Sequence, residues 1–386
     1  MSQHEESTSA SDSEISKTSS PSSSDVEQFP KCTSDWDCHF VDKLCVSYKQ
    51  EDIIRIISSE WSLFHLYEED RLEVERCLNA CDLKLNYESL EDLPPDVTTP
   101  IEKFARGWEP NQLQLRVMQA EPLLKKFLFK LDEFNYCLAQ IVSENKPNTK
   151  ISEWKYQCLF EKLLHLFGIY TWTQPFISTK KSQIMGRTVS SKADILCCRT
   201  DPALQRPILC ICEQISHYKN SSFQRTTANE IWCQFSNKRH TQVKKNLSDE
   251  ICQLSPPRKK LRNASYQDTA NTYIGEHSLW SQHIGELFVY LDKSARNEGI
   301  LGITVEKTWV RVTFLKVNEP CLEKIRNMPV NRPGSVKLND DEHPVFFYSE
   351  RYNYLKQKDR KTLFKALLLI RMMQDRFEAG RGASRF

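Results

Sequence analysis

The sequence predicts an α/β fold, with α+β as the neighbouring alternative, and three observations carry the prediction. Apolar residues recur at intervals of three and four through 51–86 and again from Leu113 to Leu138, which is the helical period. From residue 151 the texture changes to short β-type runs at Ile169–Trp172, Ala193–Cys198 and Ile208–Ile215. A helical segment at Trp280–Leu291 then separates these from two further runs, Ile300–Val305 and Trp309–Val317. Helix, strands, helix, strands is the pattern of a sheet flanked by helices.

The elements follow in order. Residues 1–30 are Ser-rich, acidic and nearly free of large apolar side chains, so they cannot offset their ordering entropy and are expected to be disordered. Ser11-Asp12-Ser13-Glu14 and Ser22-Ser23-Ser24-Asp25 place serines beside carboxylates, as acidophilic kinases prefer, although a plain solubilising tail has the same composition. Residues 40–145 read as a largely helical region, broken at Pro94, Pro95 and Pro100. Cys77 and Cys81 are one helical turn apart, but no second ligand pair lies near, so buried thiols are expected. Ser152 can cap a helix that Gly168 stops. Residues 218–275 form a polar insertion, Glu306-Lys307-Thr308 joins two runs as a hairpin turn, and 319–386 reads as a C-terminal helical extension closed by an amphipathic helix at Lys361–Phe377.

Composition narrows the function. Lys plus Arg number 53 and Asp plus Glu 51, a net charge of +2, which excludes a globally basic nucleic-acid coat while leaving local patches open. Only 10 glycines argue against a dinucleotide fold. No apolar run approaches the roughly 18 residues that span a bilayer, so no membrane partner is expected. The polar, acidic N-terminus does not read as a secretory signal, so the 14 cysteines are expected to be reduced and the chain intracellular.

The informative stretch is Lys192-Ala193-Asp194-Ile195-Leu196-Cys197-Cys198, a turn, then Ile208-Leu209-Cys210-Ile211-Cys212-Glu213-Gln214-Ile215. Each run is apolar except for one carboxylate, and an unpaired buried carboxylate is expensive. An antiparallel hairpin centred between Ala203 and Leu204 sets Asp194 directly opposite Glu213, with both side chains on one face. Like charges so placed destabilise a sheet, and a divalent cation between them removes the penalty. Two such carboxylates make a Mg²⁺ or Mn²⁺ site of the phosphodiesterase kind. The bland alternative is an edge hairpin with two solvated carboxylates.

A helix with an inward glutamate, a strand with Asp, a turn, and an apolar strand ending in Glu resembles the PD-(D/E)xK nuclease superfamily, the restriction-endonuclease-like fold. The resemblance covers residues 151–318. It implies that Glu161 matches the helix glutamate, Asp194 the motif aspartate and Glu213 the motif (D/E). The helix with Gln282, Glu286 and Tyr290, followed by the strand at Gly299–Ile303 and the Trp309–Leu315 strand, is similar to the later part of that core. The family's proline is Ala193 here, and its motif lysine, which positions the attacking water, is Ile215. The Gln-x3-Tyr helix motif of one branch of the superfamily is also absent, Gln282 and Tyr290 being eight apart. In the proposed register Lys192 stands opposite Ile215 on the face of Asp194, so Lys192 is expected to replace the lost lysine. The alternative is that it lies at a frayed strand entrance, pointing to solvent, in a domain without activity.

Two further signals complete the reading. Pro256-Pro257-Arg258-Lys259-Lys260-Leu261-Arg262 resembles a monopartite nuclear-localisation signal, carried by Arg258, Lys259, Lys260 and Arg262; a solvated basic loop touching phosphates is the other interpretation. Alternation puts Cys198 on the face of Asp194 and Cys197, Cys210 and Cys212 on the other, which argues for small buried hydrophobes over a zinc site. The expectation is a nuclear protein (cytoplasm as alternative) with a PD-(D/E)xK-like, Mg²⁺- or Mn²⁺-dependent nuclease domain, active or degenerate, whose partner is DNA or RNA. The alternative is a non-enzymatic scaffold that docks a protein partner through its helical half.

Overall fold

In a computed structural model, residues 29–58, 67–81, 110–144, 151–198, 208–215, 280–296, 298–328 and 343–383 are described. Both the Ser-rich 1–30 segment, except its last two residues, and the whole 218–275 insertion lie outside them, as do Arg258, Lys259, Lys260 and Arg262.

The central run of elements begins with helix α6 (Glu153–Leu166), whose buried positions Tyr156, Leu159, Phe160, Leu163, Leu164 and Leu166 repeat at helical spacing. Its N-cap is Ser152. The helix stops as the sequence indicates: Gly168 takes φ +72, its N–H donates to the His165 carbonyl, and Ile169 N–H donates to the Leu164 carbonyl. That pair of bonds needs a left-handed residue, which glycine adopts without strain. Strand β2 (Thr171–Thr173) follows, then a separate two-stranded hairpin, β3 (Lys180–Ile184) and β4 (Arg187–Ser191), turned by Met185 and Gly186 at φ 51 and 68. The chain returns through β5 (Ile195–Cys197) and β6 (Cys210–Gln214), crosses by helix α7 (280–290), and re-enters as β7 (Gly299–Glu306) and β8 (Trp309–Lys316).

β2, β5 and β6 form an antiparallel meander, β7 runs parallel to β6, and β8 returns antiparallel to β7. Setting aside the β3–β4 hairpin, the order is helix, three strands, crossover helix, parallel strand. The sheet grows past β8 with β9 (Val345–Tyr348) and, parallel to it at the edge, β1 (Ser47–Gln50), while β10 (Tyr352–Asn353) pairs a short stretch of β8. It is a mixed sheet flanked by helices, in the order β1-β9-β8-β7-β6-β5-β2.

Helices cover both faces. Ile195, Leu301, Ile303, Val310 and Val312 point into one core, which holds side chains of α2 (Ile53–Ser58), α3 (Glu68–Ala80), α4 (Gln112–Ala120), α5 (Phe127–Glu144), α6 and α9 (Gln357–Ala383). Cys77 and Cys81 are buried in it. Leu196, Ile211, Ile300 and Leu315 point into the other, under α1 (Cys38–Lys43), α7 and α8 (Glu319–Asn327). The central strands β6 and β7 are buried on both faces, which explains their nearly uninterrupted apolar runs.

Two regions expected to be largely helical also supply strands: β1 lies within 40–145, and β9 and β10 within 319–386. Ser47-Tyr48-Lys49-Gln50 carries no β-type apolar run. It is held as a strand by backbone bonds to β9, a partner almost three hundred residues away, so its state is set by tertiary pairing.

The crossover helix approaches the sheet closely at one point. A Cβ on Gly302 would lie 2.4 Å from both His283 Nε2 and Thr313 Oγ1. The missing side chain lets the His283 ring reach Thr313, with Nε2 and Oγ1 2.8 Å apart, and so seats α7 across β7 and β8.

Candidate functional site

The β5–β6 register pairs Ile195 with Cys212, Leu196 with Ile211 and Cys197 with Cys210. Continued by one residue, it sets Asp194 opposite Glu213, as the alternation of charged and apolar positions indicates. Asp194 sits at the bend just before β5 and is half-buried, while Glu213 is buried within β6. Asp194 Oδ2 accepts the Gln214 N–H at 2.9 Å and Oδ1 accepts Gln174 Nε2 at 3.4 Å. From α6, Gln157 Nε2 donates to the Asp194 carbonyl at 3.1 Å.

Helix α7 lays a stripe of three side chains, spaced at four, over this hairpin end. Gln282 Nε2 donates to Glu213 Oε1, and the same amide lies 3.3 Å from Glu286 Oε1. Tyr290 accepts the Ala193 N–H at 3.4 Å. Burial pushes the Tyr290 phenol up to about 12; Glu286 and Glu213 add to the rise and the Ala193 N–H opposes it. The tyrosine is therefore a neutral hydroxyl that fixes the backbone beside Asp194. Glu286, 1% exposed, is a third carboxylate on the site.

The remaining expected residues are placed differently. Glu161 lies one turn beyond Gln157 on α6, where its carboxylate accepts from Thr171 Oγ1 at 3.5 Å and stands 3.9 Å from His165 Nε2. These bonds tie it to strand β2, and it is Gln157 that reaches Asp194. Burial, reinforced by the charges of Lys162 and Lys130, holds His165 down to about 4. Lys192 is exposed and lies between β4 and β5, outside either strand. Ile215 is half-buried, and its N–H donates to the Val305 carbonyl at 2.7 Å.

A cation does lie in the same cross-strand row. Glu213 pairs with Thr304, and Thr304 with Arg311, so Arg311 stands two strands from Glu213 on the face covered by α7. Strand spacing makes that roughly 10 Å between backbones. The Arg311 guanidinium is 5.5 Å from the Trp280 ring, at the start of α7. Arg311 was not legible as a site residue because an alternating Trp-Val-Arg-Val run reads as an ordinary strand with one polar face. Gln282 and Glu286 carried a signal, their spacing of four on a helix that follows the hairpin.

Asp194, Glu213 and Glu286 offer only oxygen donors, which suit a hard divalent cation such as Mg²⁺ or Mn²⁺. Among the described residues, the one group of three potential ligands with ligand atoms within 4.8 Å of one another is Cys197, Cys210 and Cys212, all buried on the opposite face. A cation at the carboxylates would therefore be held by Asp194 and Glu213, with water and phosphate oxygens completing its shell.

Within the thiol group, burial pushes Cys210 up, but hydrogen bonds from Cys197 and Cys212 and the charge of Arg296 outweigh it and bring it down to about 5. Cys197 and Cys212 are both raised, Cys197 chiefly by its bond to Cys210 and Cys212 by burial. No helix among the described residues is long and apolar enough to cross a membrane. No family model, curated protein or solved structure matches the chain.

Proposed function

We propose that the chain is a metal-dependent phosphodiesterase of the PD-(D/E)xK kind acting on DNA or RNA. The observation that carries the reading is the hairpin register that opposes Asp194 to Glu213, inside a run of helix, antiparallel meander, crossover helix and parallel strand. That order is the one the restriction-endonuclease-like resemblance implies. A Mg²⁺ or Mn²⁺ ion at these carboxylates would activate water and offset charge developing on the phosphate. The chain's own groups prepare the site: the Gln214 N–H fixes one oxygen of Asp194, Gln282 orients Glu213, and Tyr290 holds the Ala193 backbone. Arg311 supplies the cation on that face which could meet a phosphate oxygen. The Arg258–Arg262 segment would direct the protein to the nucleus.

One observation favours a second reading, a non-catalytic scaffold on the same fold. The motif lysine is Ile215, and Lys192 is exposed outside the strand. Helices α2, α3 and α5 would then be the docking surface for a protein partner.

Cleavage of end-labelled single- and double-stranded DNA and RNA in Mn²⁺ separates the two. The phosphodiesterase reading expects cutting by the wild-type chain, reduced to background in both Asp194→Ala and Glu213→Ala. Wild-type protein that is folded, binds a protein partner and cuts none of these substrates establishes the scaffold reading.

A further inference from the structure

The three thiols on the far face of the β5–β6 hairpin take no part in the proposed reaction. Cys197 and Cys210 are directly opposed, and Cys212 follows two residues along β6 on the same face. All three are no more than 1% exposed, and their Sγ atoms lie within 4.8 Å of one another. Cys197 and Cys212 approach to 3.7 Å. Thiolates bound to a single zinc at about 2.3 Å in tetrahedral array stand about 3.8 Å apart, so this pair already has the separation that a shared ion imposes.

A buried cation stands on the same face. Cys210 pairs with Leu301 and Leu301 with Phe314, and the Arg296 guanidinium packs 5.2 Å from the centre of the Phe314 ring. Arg296 is 3% exposed, its backbone N–H is bonded to Ser294 Oγ, and its charge acts on Cys210. A divalent ion with three thiolates carries one net negative charge, which a single guanidinium cancels. A buried assembly that sums to zero avoids the desolvation cost of an isolated charge.

We infer that Cys197, Cys210 and Cys212 form a site for one thiophilic divalent cation, of which zinc is the biological representative, with Arg296 as its counter-charge. Thiolate donors favour zinc over magnesium, whereas the all-oxygen carboxylates across the sheet suit a hard ion such as Mg²⁺ or Mn²⁺, so the two faces of one hairpin differ in the ions they favour. Three protein ligands leave the fourth tetrahedral position to a water or small exogenous ligand. Binding displaces thiol protons and clips β5 to β6 next to Glu213.

The test uses the full chain, its metal content measured after purification and its apo form titrated with Co²⁺. One zinc per chain and a sulfur-to-cobalt charge-transfer band are expected. Cys197→Ser and Cys212→Ser should lose both; Cys198→Ser, on the opposite face, and Asp194→Ala should keep both, which makes the result independent of the phosphodiesterase reading. Should the serine variants fail to fold, the wild-type chain decides: its cobalt charge-transfer band should have the intensity of three Co–S bonds, and an intensity matching one bond overturns the site. A chain without zinc and without the charge-transfer band overturns the site, as does a band that survives in Cys212→Ser. Tight Cu⁺ binding without any zinc or cobalt complex overturns the choice of ion.

Discussion

Replacing Gly302 with alanine probes how the crossover helix is seated over the carboxylates. The new methyl would lie 2.4 Å from His283 Nε2 and from Thr313 Oγ1, and 2.8 Å from His283 Cε1. Neither neighbour is the free end of a flexible chain: His283 and Thr313 are both fully buried and bonded to each other at 2.8 Å. The imidazole must swing out or α7 must lift from β7. Overpacking of this kind costs about 1–3 kcal/mol, and breaking the buried hydrogen bond about 1–3 kcal/mol more. Against this, alanine in a strand recovers about 0.5–1 kcal/mol of backbone entropy. A net destabilisation of about 1–5 kcal/mol is expected. Urea unfolding followed by tryptophan fluorescence should show a lower midpoint at unchanged slope. In a His283→Ala background the same substitution should cost less, because the main obstacle has gone. Equal stability of Gly302→Ala and wild type, or an equal cost in both backgrounds, would refute the argument that this glycine exists to admit His283.

Stability should fall on acidification through His283, which burial holds down to about 3 from 6.5. The folded state resists the proton that the unfolded chain accepts, so stability is complete above pH ~6.5 and is lost below it at up to ~1.4 kcal/mol per pH unit. Melting temperatures from pH 7.5 to 5 should decline, and less steeply in His283→Asn; identical profiles would sink the assignment. In the Mn²⁺ cleavage assay, Lys192→Ala should retain the wild-type rate and Arg311→Ala should lose activity. Cleavage gained only in Ile215→Lys would show that the natural chain had lost its activity. Lys259→Ala with Lys260→Ala should move a tagged chain to the cytoplasm, and an unchanged nuclear signal would exclude this segment as the import element.

The hairpin that carries the candidate site was legible from sequence because its determinants are local. Alternation within β5 and β6 puts both carboxylates on one face and the apolar residues on the faces the helices cover. The end of α6 at Gly168 and the turn between β7 and β8 were legible for the same reason. The β3–β4 hairpin was not: its strands are polar and exposed on one side, and Met185-Gly186 is a weak turn signal. Nor was β1, whose strand state comes from β9. Which side chains accompany the carboxylates was decided by packing. Close approach at Gly302 brings Gln282, Glu286 and Tyr290 over the hairpin, and the order of strands brings Arg311 into the row of Glu213 while Lys192, nearer in sequence, stays in solvent. Alternation assigns three cysteines to one face, but only the strand pairing draws their sulfurs to within 4.8 Å. Periodicity is written in neighbouring residues, whereas proximity between distant ones is fixed by the free energy of burying shared surface, which no single segment encodes.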